Sequence, residues 1–293
     1  MWFNRKRNPG ARRWMTAAIG LSIVALVAVG TSCQSGPQPP QPGTPAFFWA
    51  AAGETYRAGD DVKTSEHLQR ILSLGENDFS ARARAWDTLI SSGLAQGYIE
   101  LADAWEAGAR ANRPNPTPFR KEVSTLRGLA SAAAIQFTED IHKLVETDKA
   151  PRIQLGFTFP AGAAAAPAGL KRVSGGIQVQ DSERDAIQAA MLQRGVLLSV
   201  CAAVGSRGDA AGAQEKLKAG SYLGPRDTYL LAAAQSLSDE SELFTGTKLD
   251  LPNRLKMMSQ EAMEVLAAIP PSKDTKAIGD KIEARLKKAH LTL

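Results

Sequence analysis

An all-α architecture is the fold class this sequence predicts, and three observations carry it. Apolar residues recur every three or four positions through long stretches, as from Phe119 to Val145 and from Ile187 to Val200, the period that gathers them on one face of a helix. Glycine and proline fall in the gaps, at Gly59-Asp60, Gly75, Arg113 to Pro118 and Pro270-Pro271, where helices stop. A short segment, Arg152 to Phe159, instead alternates apolar and polar side chains. The expected architecture is a set of helical hairpins or an irregular helical bundle, with a small β-hairpin or loop insertion.

The chain opens on a leader. Arg5, Lys6, Arg7, Arg12 and Arg13 precede an uncharged stretch from Trp14 to Thr31, and Cys33 follows. A basic start, an apolar middle and small residues before a processing point make residues 1–32 a secretory signal peptide. A single transmembrane anchor is the competing reading, because apolar runs of roughly 18 residues begin to qualify. Val29-Gly30-Thr31-Ser32-Cys33-Gln34 resembles the lipobox of bacterial lipoproteins. The resemblance implies cleavage before Cys33 and lipidation of its sulfur. Two or three acyl chains of the palmitate kind would hold the protein at a bilayer where one chain does so only reversibly. It also implies a bacterial cell-envelope location and, in a species with two membranes, Gln34 points to the periplasmic side of the outer membrane.

Charge and cysteine usage narrow the partners. The chain has 35 Lys+Arg against 30 Asp+Glu, and the leader holds five of the basic residues and no acidic one, so the remainder is formally neutral. Lys216 with Lys218 and Lys287 with Lys288 read as solvated helix faces, without the aromatic interleaving of a nucleic-acid surface. No nucleic-acid partner is expected. With Cys33 acylated, Cys201 is the one free thiol, and its apolar setting from Val196 to Val204 makes it a small core residue.

Residues 33–46 carry Pro37, Pro39, Pro40, Pro42 and Pro45. Prolines this close deny backbone donors and favour extended geometry, which makes a semi-rigid tether between anchor and folded part. Residues 47–150 read as a helical-hairpin domain. Phe47, Phe48, Ala51, Ala52, Thr55 and Tyr56 form one face, and Val62, Leu68, Ile71, Leu72 and Leu74 the next. Ala51 to Asp60 followed by His67 to Leu72 resembles one tetratricopeptide unit. A second pair is expected from Phe79 to Gly93 and from Gln96 to Ala111, and two units fall short of what a free solenoid needs. After the proline break at 113–118, a further helix is expected from Phe119 to Val145.

Residues 151–180 differ in kind. Ile153, Leu155, Phe157 and Phe159 alternate with polar or small residues as one face of a half-buried strand, and Val173, Ile177 and Val179 offer a returning strand after the small residues 161–169. The expected β-hairpin docks on the helices as a connector. Residues 181–293 form a C-terminal helical portion packed with residues 47–150. Its expected helices are one from Asp181, then Ala210 to Ala219, Pro225 to Leu237, Leu251 to Ile269 and Thr275 to His290.

Chemistry is sparse. His67, His142 and His290 are dispersed with no ligand pair at helical spacing, which gives zinc no local support, and no cofactor or catalytic residue is assigned. Glu240-Ser241-Glu242-Leu243-Phe244 faintly resembles the start of a lytic transglycosylase site, which makes a peptidoglycan-acting enzyme with Glu240 as general acid the alternative reading. An envelope solute-binding protein is a third, disfavoured because strand-helix alternation is absent from the pattern. The reading that needs least special chemistry is a lipid-anchored envelope protein for interaction or assembly, more consistent with binding than with an enzyme. Arg57, Arg70, Arg82, Arg84, Tyr98 and Trp105 are its candidate residues for contact with a protein or peptide partner.

Overall fold

The computed structural model describes residues 39–293. The leader, Cys33 and the first part of the tether lie outside the described residues. Helix α1 (Pro45–Arg57) begins two residues inside the expected tether. Thr44 Oγ1 accepts from the Phe47 N–H (3.3 Å), and Pro45 occupies the first turn, where its missing donor costs nothing. Gly59 takes a left-handed conformation (φ +74°) to reverse the chain, and Asp60 caps α2 (Asp61–Ser73) by accepting from the Lys63 N–H. This is the first expected hairpin.

The second is not formed. Residues Ser80–Ala111 are a single 32-residue helix, α3, that runs without a break through Gly93 and Gly97. The reason is packing. Those glycines open the surface of α3 to α6 (Asp181–Ala203), whose backbone at Gly195 and Val196 lies where a Cβ on Gly93 would stand. A Cβ on Gly97 would come within 2.9 Å of the Met191 carbonyl oxygen, and one on Gly195 would collide with the Gly93 carbonyl. By length and composition α6 is apolar enough to cross a membrane, but its apolar face is spent on α3.

Helix α4 (Thr117–Thr147) returns antiparallel along α3, with Phe119 beside Trp105 (5.4 Å between ring centroids) and Thr147 Oγ1 accepting from Arg84 Nη1 (3.0 Å). Strand β1 (Arg152–Leu155) follows, and its alternation is as expected: Ile153 and Leu155 are buried, Arg152 and Gln154 exposed. Its partner differs from the expected one. β1 pairs antiparallel with β2 (Tyr222–Pro225), Ile153 opposite Gly224 and Leu155 opposite Tyr222. Residues Ala168–Ser174 are instead a short helix, α5, that buries Val173 and ends where Gly176 turns left-handed (φ +83°), a geometry no strand continues through.

The remaining helices are α7 (Ala210–Leu217), α8 (Arg226–Glu240), α9 (Pro252–Ala267) and α10 (Lys273–Lys288), with a 3-10 turn at Ser241–Phe244 after α8. Pro225 sits one residue ahead of α8 in extended backbone, closing β2. Ser272 and Thr275 open α10 with a reciprocal capping box. The core runs along α3, which α2, α4, α6 and α8 cover. Within it Tyr56, Trp86 and Phe157 cluster with centroids 5.0 to 5.1 Å apart, Tyr56 stacked on Phe157 and edge-on to Trp86, and Trp49 stacks on Phe157 at 4.5 Å.

Candidate functional site

The residues that the sequence nominates for partner contact divide in two. Arg57 on α1 and Arg70 on α2 face solvent. Arg82 is half-buried with its guanidinium over the rings of Trp49 (5.1 Å) and Phe79 (5.0 Å). Arg84, Tyr98 and Trp105 are corrected by the structure: they are 8 %, 7 % and 6 % exposed and have no surface to offer. All three belong to α3, whose flanks are occupied by other helices. Arg84 binds the Glu76 carboxylate (2.6 Å), and Trp105 packs on Phe119. Arg57 lines a cleft of about 320 Å³ with Trp49, Tyr56 and Phe157, and Arg70 a separate hollow with Phe48 and His67.

A larger opening lies at the other end of the unit. Helices α6, α8 and α10 and the loop after α6 enclose a groove of about 630 Å³. Its floor is aliphatic, from Leu231 and Ile278, and its rim carries Arg207, Asp274 and Lys281. The Lys281 ammonium is held by Asp239 (2.5 Å), which also accepts from Gln235 (2.9 Å). Arg207 is exposed and engages no carboxylate among the described residues. Sequence reading passed over this groove because its walls come from three helices that are separated along the chain, α6, α8 and α10.

The carboxylates that could do acid-base work are inside. Glu240, at the end of α8, is 3 % exposed; its Oε1 accepts from Ser92 Oγ (2.9 Å), and burial pushes its carboxyl well above the ordinary range. A general acid must touch the leaving-group oxygen of its substrate, and a glycan has no route to Glu240 in this structure. Asp87 and Asp140 are likewise enclosed between α3 and α4.

The chain resembles nothing known closely enough to borrow from. No family model, curated protein or solved structure matches it. The reading of the site therefore rests on the geometry alone. One further group of side chains was missed by the sequence reading: His142 on α4 meets Glu261 and Glu264 on α9. The His142/Glu146 and Glu261/Glu264 spacings each place a pair on one helix face. What a sequence lacks is the docking of those two faces.

Proposed function

We propose that this protein is a lipid-anchored component of the bacterial cell envelope that holds a protein or peptide partner, acylated at Cys33 and set off from the bilayer by its proline-rich tether. In a two-membrane species it sits on the periplasmic side of the outer membrane. The observation that supports the reading most is the groove between α6, α8 and α10, with an aliphatic floor from Leu231 and Ile278 and a rim of both signs from Arg207, Asp274 and Lys281. An amphipathic segment fits such a groove, with aliphatic side chains on the floor and a basic and an acidic group meeting Asp274 and Arg207. Arg57 and Arg70, exposed on the first hairpin, are further candidates for partner contact, and Arg82 is in part reachable beside Trp49. The mechanism is local concentration: the anchor fixes height, the tether gives reach, and the helical body supplies the contact surface.

The experiment compares native protein with Cys33→Ala for acyl mass and membrane retention, and carries a photo-crosslinker at Gln235 in the groove or at Asp185 on an exposed part of α6. The reading expects acyl mass and retention to vanish together in Cys33→Ala, and one envelope protein to crosslink from Gln235 and not from Asp185. An unacylated native protein that retains its leader would overturn the anchor, and equal capture from both positions would overturn the groove.

A further inference from the structure

His142 lies near the C-terminal end of α4 with its imidazole turned toward α9. Its Nδ1 is 2.9 Å from Glu261 Oε2 and 3.9 Å from Glu264 Oε2, and its Nε2 is 3.4 Å from Glu146 Oε1. One donor atom from each of His142, Glu261 and Glu264 lies within 4.8 Å of the other two. Glu261 is 8 % exposed, its carboxylate is aimed into this group, and its Oε1 has no hydrogen-bond partner. Among the described residues, no lysine or arginine pairs with Glu146, Glu261 or Glu264, and His142 is the side chain all three share. The buried Glu261 oxygen is thus left without a partner, which is costly.

We propose that His142, Glu261 and Glu264 bind a divalent transition-metal ion of the zinc class that staples α4 to α9. The ion takes the Nδ1 lone pair of a neutral imidazole and one oxygen from each glutamate, and water fills the open position. Ligands about 2.1 Å from a tetrahedral ion stand about 3.4 Å apart, and the 2.9 and 3.9 Å separations here straddle that value. Glu264 is mostly exposed, so its side chain is free to close the remaining gap. Glu146 is a positioning residue: its Oε1 lies 3.4 Å from Nε2, and when the ion takes Nδ1 it closes on the Nε2–H and holds the ring. An imidazole in the donor set selects against calcium and magnesium, which prefer all-oxygen sites.

The test uses the full chain without a histidine tag, solubilised in detergent, stripped with chelator and titrated with zinc chloride by calorimetry and by thermal unfolding. Saturable binding of one ion is expected, with Tm rising by about 5 °C at a hundredfold excess over Kd. Millimolar magnesium or calcium should leave the binding unchanged. His142→Ala should abolish the binding, Glu264→Gln should weaken it at least tenfold, and Glu146→Gln should weaken it by about ten- to a hundredfold. Glu264 is exposed, so its variant folds whatever His142→Ala does. The absence of saturable zinc binding, or zinc binding of native strength in Glu264→Gln, overturns the site.

Discussion

Asp87 on α3 and Asp140 on α4 are neighbours inside the core, 0 % and 2 % exposed, and each carboxyl feels the other. Ser65 Oγ donates to Asp87 Oδ1 (2.5 Å) and Gln136 Nε2 to Asp140 Oδ1 (2.9 Å), while the Oδ2 of each has no hydrogen-bond partner. Burial, and for Asp87 the neighbouring charge of Asp140, push both carboxyls up, because two carboxylates cannot both ionise in so dry a place. The pair holds one proton at a pH where free aspartates have lost theirs.

That proton makes stability depend on pH with a definite sign. A carboxyl whose folded pKa is raised contributes stability that is complete below the unfolded value of about 3.9 and is lost as pH rises through the folded value. The loss is about 1.4 kcal/mol for each pH unit in which the folded pair keeps a proton that the unfolded chain releases. Asp61, pushed up to about 7 by burial and by Asp60, acts in the same direction. Asp87→Asn removes the carboxyl that burial holds protonated, so its Tm against pH should fall less steeply from pH 4 to 7. Thermal unfolding followed by circular dichroism reads both slopes, and equal slopes would show that Asp87 keeps no extra proton in the folded protein.

The crossing of α3 and α6 should tolerate no side chain at its centre. Gly195→Ala puts a methyl group against the Gly93 carbonyl and Gly93→Ala puts one against the backbone of Val196, and each should cost about 1–3 kcal/mol or more. Gly128, on the exposed face of α4 with open space around it, is the opposite case. Gly128→Ala should stabilise by about 0.5–1 kcal/mol, since alanine loses less backbone freedom in a helix. Denaturant unfolding of the three variants checks both the sign and the contrast.

Phe157, just beyond β1, touches three aromatic rings, those of Trp49, Tyr56 and Trp86. Phe157→Ala should therefore lower stability by about 3–5 kcal/mol and release two tryptophans from a stacked environment. A loss of near-ultraviolet dichroism beyond that of an exposed-site control, together with the lower Tm, would confirm that this residue ties β1 to α1 and α3.

Cys201 is 2 % exposed, and burial raises its thiol pKa further from neutrality. A thiolate is the reacting form, so the folded protein should resist alkylation at Cys201 and the denatured protein should react fully. Mass spectrometry after iodoacetamide treatment with and without denaturant distinguishes the two states. Rapid labelling of the native protein would mean that α6 opens far more easily than its packing implies.

Helices were legible in the sequence wherever a local rule applied. The break at Gly59-Asp60 and the long run through α4 follow from apolar spacing and from residues that cap or end a helix, and the burial of Ile153 and Leu155 from simple alternation. Where two meanings of one residue compete, local reading failed. Gly93 reads as the end of a helix, and its actual role is to let another backbone approach. Arg84, Tyr98 and Trp105 carry the chemistry of binding residues, but α3 is sheathed on its flanks and they lie within. Arg57 and Arg70, on the outer helices of the first hairpin, kept their expected exposure.

By itself the sequence determined the helical class, the first hairpin with its break at Gly59-Asp60, and the inward alternation of β1, because each depends on neighbours within a few residues. The tertiary structure alone decided that β1 pairs with Tyr222–Pro225, that α3 is continuous under α6, and that His142 meets Glu261 and Glu264. Those contacts join residues about 70 to 120 positions apart. They arise from how helices cross, and a crossing is selected by the fit of whole faces, of which a single residue and its neighbours hold only a part.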